Sequence, residues 1–494
     1  MKNGITTNSV ENLFDFESSS ANADETPVEM HMLKQSNDPI NSVVPPELLE
    51  KLVQERVAQQ LAQEQEDPKK KYFDGNTFVP MRLAQEILRK LSVVTLSDTK
   101  EIYVYDNGVY KEGGEYCIRQ LAQEKLKDKA TTYRLNEVVN YIKNDRHVIK
   151  SREDLNRETR VINLKNGLYD LKTGEFRSHT PKFLSTVQVP VNYDPNAHCP
   201  LIDKFLSEVV SEMDRKALLE FAGYALIPEN KMKKSFMLLG TGDNGKTVYL
   251  EFLRTFIGEE NASSESLQDL TNNKNSTANL YGKLLNIASD IGDSKLYQTN
   301  IFKALTGGDK IRGERKFQTA FDFANTARLI FAANKLPGPK DKNDNAFFNR
   351  WILITFPNKF KGENADENLL EKLTADEELS GFLNEAMKSL KELLAKGEFS
   401  DGRTVEEIKR TYMVNSDSVS AFLEEYVEMG TGGTVYKKEM HQKYIEWCPP
   451  GVNPASNSKF GEQLGDRGIK TGRDPTVNEN GKRDYYWVDV SIIS

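Results

Sequence analysis

Cysteine is scarce in this chain, with three in 494 residues. Cys117, Cys199 and Cys448 lie far apart and no C-x-x-C occurs. That spacing implies neither a zinc site nor a disulfide framework, and a reducing compartment such as the cytoplasm fits it. Histidine is almost as rare: His31, His147, His179, His198 and His441 are scattered, and the adjacent pair His198-Cys199 lacks further ligands for a metal. No apolar run approaches the roughly 18 residues needed to cross a bilayer. The N-terminal Met1-Lys-Asn-Gly-Ile5 has no apolar core of a signal peptide. Positive charge is also short, at 66 Lys and Arg against 74 Asp and Glu, a net of −8. This argues against a globally basic, DNA-coating protein. It leaves room for a local basic channel, because association follows the local field rather than the total charge.

The length exceeds what one core organises and suggests about three domains. The hydrophobic share of 38% and charged share of 28% fit a globular protein with some polar sequence. Residues 1–72 hold 13 acids and 7 Lys or Arg. They read as a disordered acidic tail followed by a helix, with Leu49, Leu52, Val57 and Leu61 at helical spacing and an end near Asp67-Pro68. Val10 to Phe16 could serve as a short docking peptide. Residues 73–205 are mixed α/β: a helix around Phe78–Leu91, an Asn107-Gly108 hairpin, and a second hairpin around Asn166-Gly167. No paired-aspartate motif of a primase or polymerase occurs there.

The densest signal is Gly240-Thr241-Gly242-Asp243-Asn244-Gly245-Lys246-Thr247, between the apolar run Phe236–Leu239 and the helical stretch Val248–Phe256. This is the strand, glycine loop and helix of a phosphate-binding P-loop. The glycines let backbone N–H groups approach phosphate oxygens, and the helix N-terminus adds partial positive charge. Lys246 reaches the β- and γ-phosphates, and Thr247 offers a hydroxyl to Mg2+. The expected ligands are therefore ATP and Mg2+.

Three further signals lie downstream. The strand Leu284–Ser289 ends in Asp290, the carboxylate position that holds Mg2+, with Asp293 nearby. The Gly-flanked stretch 303–323 places Lys310, Arg315, Lys316 and Phe317 on a hairpin, cations for phosphate and an aromatic for a base. Ala327–Ala333 is a buried strand ending in Asn334, and Arg350 precedes the strand Trp351–Ile354. An amide at a strand end can position a water, and an arginine at a subunit edge can reach a neighbour's phosphate. Each has an ordinary structural alternative when taken alone.

Together these residues resemble the superfamily 3 helicases of the AAA+ class, in the branch of phage, plasmid and poxvirus primase-helicases and mobile-element replication initiators. The resemblance covers 73–494. It implies that 240–247 is Walker A, Asp290 Walker B (after Ser289, where many members carry a second acid), Asn334 sensor 1 and Arg350 the arginine finger. It also implies that Lys316 and Phe317 form the DNA-contacting tip of a channel hairpin, and that Lys303 lies near a neighbour's nucleotide. The primase module of complete primase-helicases is not expected here, so a separate primase is an expected partner. The implied architecture is an α/β AAA+ core over 206–360, a helical lid or linker over 361–414 and a winged helix over 415–494. In the last, Lys459, Arg473, Lys482 and Arg483 would contact DNA, with Ser456–Gly465 as the recognition helix. The implied activity is ATP-driven unwinding by a ring, a hexamer by expectation, with no membrane partner. An origin-binding initiator without unwinding of its own and a small-molecule P-loop kinase are the rival readings.

Overall fold

The computed structural model describes residues 67–289, 291–292, 296, 298–317, 319–339, 341–360, 366–449, 451–476 and 483–493. The acidic tail and helix expected over 1–66 lie outside the described residues, as do Asp290, Asp293 and Lys482. The chain clusters into two compact units that divide at Lys150/Ser151, with the short pieces 97–99 and 107–110 grouping with the second. The sequence pattern draws residues 151–205 with the preceding domain. In the fold they group with the residues C-terminal to them.

In the first unit, Asp67 accepts a hydrogen bond from Lys69 N and caps a short helix, Pro68–Tyr72. The sequence pattern reads Asp67-Pro68 as a helix end. The helix expected to end there lies outside the described residues, and a carboxylate cap followed by Pro at the first helical position starts the next one. Helix α1 (Pro80–Lys90) buries Leu83, Ala84 and Ile87, three positions on one face. Strand β1 (Val93–Leu96) pairs antiparallel with β2 (Ile102–Asp106) and parallel with β3 (Ile149–Lys150). Helices α2 (Gly114–Leu126) and α3 (Thr132–Lys143) close the core through Ile118, Ala122, Val138 and Ile142. At the expected turn, Asn107 (φ 44°) and Gly108 (φ 98°) are both left-handed, as a two-residue hairpin turn requires.

The second unit starts with β4 (Val161–Leu164), β5 (Gly167–Asp170) and β6 (Phe176–Arg177). Leu164 pairs with Gly167, so the turn is Lys165-Asn166 and not Asn166-Gly167. Gly167 is needed for closeness: a Cβ there would lie 2.7 Å from the Arg177 carbonyl and from the Phe176 ring. Helices α4 (Pro200–Val209) and α5 (Glu212–Tyr224) lead into a parallel sheet.

That sheet contains β7 (Ser235–Leu239), β8 (Ala262–Ser263), β9 (Leu285–Ala288), β12 (Arg328–Ala333) and β13 (Trp351–Thr355), in the spatial order β8-β9-β12-β7-β13. The strands are near-continuous apolar runs because helices cover both faces. Between β9 and β12 come helix α7 (Thr299–Gly307) and the antiparallel pair β10 (Lys310–Gly313) and β11 (Phe321–Ala324). Helix α6 (Lys246–Ile257) comes directly after the loop that leaves β7, and buries Leu250, Leu253 and Phe256.

Helix α8 (Asp376–Lys396) carries the expected apolar stripe, with Leu379, Phe382, Leu383, Met387, Leu390 and Leu393 all buried. Phe382 meets Phe252 and Phe256 of α6 edge-on, at 4.9 and 4.8 Å. The helix crosses α5 so closely that a Cβ on Gly223 would sit 2.2 Å from the Ala386 carbonyl. It is therefore part of the same core as the glycine loop's own helix.

After α9 (Val405–Ser416) the chain forms α10 (Ser418–Tyr426), β14 (Val427–Tyr436), α11 (Lys437–Trp447), α12 (Asn457–Asp466), β15 (Thr471–Arg473) and β16 (Tyr485–Ile492). The three strands pair antiparallel in the order β14-β16-β15 over a core of Phe422, Met440, Tyr444, Phe460 and Trp487. The sequence pattern shows the helices and the last two strands but not β14. Its Met429–Thr434 segment carries three glycines and a register shift, which break the strand pattern.

Candidate functional site

The glycine loop leaves the C-terminal end of β7, where crevices in parallel sheets receive ligands. Its conformation comes from its residues. Gly242 (φ 97°) and Gly245 (φ 87°) are left-handed, and so is Asp243 (φ 52°). Gly240 is required for space: a Cβ would lie 1.9 Å from Asn244 Nδ2. Asn244 is itself buried and donates from Nδ2 to the Phe356 carbonyl (3.2 Å) just beyond β13. The loop is thus tied down on the side away from solvent.

Lys246 opens α6 and is only 7% exposed. Its ammonium donates to Gly240 O (2.9 Å), Asn244 Oδ1 (3.0 Å) and Asn334 Oδ1 (3.4 Å). Burial pulls its pKa down from 10.5 to about 8. Thr247 is exposed beside it, and Thr241 is half-buried in the loop. Asn334 arrives because β12 is the parallel neighbour of β7, with Leu239 opposite Ala333. Two residues far apart in sequence, Lys246 and Asn334, are thereby joined at one sheet edge. Strand β9, which leads to Asp290, pairs with β12 at Ala288↔Phe331, and Ile291 N–H donates to Ala332 O (3.3 Å). The chain on both sides of Asp290 therefore runs beside the Asn334 strand.

Arg350 is placed elsewhere. It precedes Trp351, which pairs with Ser235 at the start of β7, and its carbonyl accepts from Ser235 N–H (2.7 Å). Five residues of strand, about 16 Å at 3.3 Å per residue, separate that end of the sheet from Gly240. The side chain is half-buried and its Nε has no hydrogen-bond partner among the described residues. Burial lowers its pKa, while Asp309 and Asp344 act the other way. Lys303 shares this end. It pairs with Asp344 (2.8 Å), which caps the short helix Asn345–Phe348, and Phe302 beside it stacks on Trp351 at 4.5 Å. Lys303 is thus grouped with Arg350 and not with its own chain's glycine loop. Sequence reasoning misses Lys234, which donates to the Asn349 carbonyl (2.6 Å) next to Arg350. Its place before the loop's strand is the only signal.

The hairpin of β10 and β11 is rooted in aromatics. Phe321 and Phe323 are buried against Tyr281, and the Arg152 guanidinium lies 4.2 Å from the Phe321 ring centre. Its tip differs. Phe317 is fully exposed and left-handed (φ 63°), and Lys316 beside it is exposed. Of the other expected cations, Lys310 pairs with Glu153 (3.3 Å) and Arg315 lies over the Phe321 ring at 5.7 Å. In the C-terminal body Lys459 is exposed on α12, Arg473 on β15 and Arg483 just before β16.

Two family descriptions match this chain: "D5 N terminal like" over residues 81–211, and a family of unknown function (DUF5906) over 238–350. "Putative helicase L207/L206" of Acanthamoeba polyphaga mimivirus is 24% identical over 221 residues, 42% of this chain and 23% of that protein. "Putative helicase 121R" of Invertebrate iridescent virus 3 is 26% identical over 216 residues, 40% of this chain and 23% of that protein. The likeness is to viral proteins named as helicases. The chain spans about a quarter of the length of these relatives. A solved structure, "The A form apo structure of NrS-1 C terminal region-CTR", covers 83% of this chain and 99% of that one at 11% identity and a TM-score of 0.45. No helix among the described residues is long and apolar enough to cross a membrane.

Proposed function

We propose that this protein is an ATP-driven DNA helicase of the AAA+ superfamily 3 type, acting as a ring in the replication of a virus, plasmid or other mobile element. The observation that carries the reading is one compact unit holding both a phosphate-type glycine loop, with Lys246 facing Asn334, and a hairpin tipped by exposed Lys316 and Phe317. The likeness to proteins named as helicases supports it. The position of β12 between β9 and β7 supports the AAA+ assignment. The helix, strand, helix, helix, strand, strand order of the C-terminal body supports a winged helix that contacts DNA.

The chemistry comes from the residues. Nucleotide phosphates would draw Lys246 from its three oxygen partners and replace them as acceptors. The cradle fits them, since Gly240 has no room for a side chain and the helix N-terminus adds its dipole. Mg2+, held through Thr247 and Asp290, would neutralise charge on the phosphates. Asn334 orients the attacking water, and Arg350 completes the site of the neighbouring subunit. Hydrolysis is then coupled to movement of Lys316 and Phe317 along one DNA strand.

This use of Lys246 makes nucleotide affinity pH-dependent. Phosphates favour the ammonium, so the nucleotide-bound pKa lies above the free value of about 8. Affinity is then full below pH 8. It falls as pH rises from 8 towards the bound value, by up to about tenfold per unit. Nucleotide titrations between neutral and alkaline pH check this, and a flat profile across that window counts against it.

The deciding experiment is strand displacement on a forked DNA with ATP and Mg2+, wild type beside Lys316→Ala. Wild-type unwinding lost in the variant is expected. ATP-dependent duplex binding with no unwinding by the wild type would favour the initiator reading, and ATPase indifferent to DNA would favour the kinase reading.

A further inference from the structure

In and beside the C-terminal body some surface cations are held by acids. Arg467 is bound by Asp417 (2.7 Å), and Arg410 by Glu425 (2.8 Å). Lys437 and Arg473 are held differently. The Lys437 ammonium lies 4.1 Å from the Trp487 ring centre and 5.8 Å from that of Tyr485. The Arg473 guanidinium lies 5.8 Å from the Tyr485 ring. Among the described residues neither forms an ion pair. Burial lowers the Lys437 pKa, with no carboxylate to raise it.

Three elements bring these groups together. Arg473 and Tyr485 are register partners across β15 and β16. Lys437 opens α11 directly after Tyr436, whose partner on β16 is Tyr486. Tyr485 is 49% exposed. Two carboxylates adjoin this face: Asp484, directly before Tyr485, and Asp474, which accepts from the Tyr436 hydroxyl (2.8 Å) and from Thr476 N and Oγ1. Stacking on rings orders the long stems of Lys437 and Arg473 without tying either cation into an ion pair. Helix α12 contrasts with this face, since its exposed Lys459 stands with the exposed acids Glu462 and Asp466.

We propose that the C-terminal body holds the phosphodiester backbone of DNA on the face made by Lys437, Arg473 and Tyr485, so that the strands and not helix α12 make the principal contact. The proposal rests on the DNA-binding reading above and names its residues. Two cations and a phenol hydroxyl present hydrogen-bond donors, the complement of phosphate oxygens. Contacts of this kind position the protein on DNA without reading its sequence, and each one releases counterions.

The test is the salt dependence of DNA affinity for the full chain, with duplex and single-stranded probes of unrelated sequences. The variants are the double Lys437→Met/Arg473→Met, the single Lys459→Met, and Lys437→Arg as rescue. Methionine keeps a stem to pack on Trp487, and near-ultraviolet circular dichroism checks that packing. On duplex the double variant is expected to flatten the log–log salt slope by about 1.8, or about 1.4 if the backbone held is single-stranded. The affinity loss should be equal for all sequences, larger than that of Lys459→Met, and absent in Lys437→Arg. Wild-type binding with an unchanged slope in the double variant, or a greater loss in Lys459→Met, overturns the proposal alone. No DNA binding by the wild type at any salt overturns it together with the helicase reading.

Discussion

Arg350→Ala is expected to bind nucleotide with near wild-type affinity and to hydrolyse it about a thousandfold more slowly, or worse. That is the range measured for arginines supplied to a phosphoryl-transfer site. The position of Arg350 makes the prediction specific. It directly precedes β13, whose first residue Trp351 pairs with Ser235, while the glycine loop begins where β7 ends. An arginine side chain cannot bridge the remaining distance of about 16 Å along the strands. On the proposed reading, the lost activity belongs to a site on another subunit. Mixing Arg350→Ala with Lys246→Ala should restore part of the ATPase, because some interfaces then join an intact loop to an intact arginine. Steady-state ATPase of the mixture, against each variant alone, decides the matter. No recovery at any ratio would remove Arg350 from the reaction.

The second large effect is expected at Lys246 itself, where function and stability should part. Lys246→Ala removes the ammonium bonded to Gly240 and Asn244 within the loop. ATP hydrolysis should fall by a factor of about a thousand or more, since catalysis at a transferring phosphate comes mainly from preorganised charge. The melting temperature should nonetheless hold or rise. Folding depresses the lysine pKa from 10.5 to about 8. At neutral pH the buried ammonium thus costs the fold on the order of 3 kcal/mol. The three hydrogen bonds it loses on substitution are worth about 1 kcal/mol each, so the two effects nearly cancel. The cost is present in full below pH 8 and is relieved as pH rises towards 10.5, so the wild type should gain on the variant across that window. A large fall in melting temperature would show that Lys246 is a structural group.

The same residue shows what a sequence can carry. The loop, its strand and its helix are contiguous and specified by local rules, so 240–257 is legible without coordinates. So is the apolar stripe of α8, because a period of three to four residues is written in the chain. The pairing of Lys246 with Asn334 is not, since it depends on which strand lies beside β7. The paired cations are equally hidden. Lys310 and Lys303 look available in sequence, yet each has an acid partner, Glu153 and Asp344, brought in by folding. Strand β14 is lost to its glycines, and the turn at Lys165-Asn166 is misplaced by one residue because Gly167 serves closeness and not φ.

If Arg350 serves a neighbour's site, the opposed ends of β7 and β13 also bear on how copies of this chain can associate. A two-fold dimer uses one patch against itself. In such a contact residue i of one copy meets residue j of the other and the reverse, so it completes two sites at most and goes no further. A heterologous, head-to-tail contact that joined the end of β7 in one copy to the start of β13 in the next could instead be repeated. Repeated, that contact either closes on itself or continues as a helix. In a closed assembly the number of complete sites equals the number of subunits, whereas an open one always has one fewer. Specific ATPase activity should then reach its full value only when the last interface shuts.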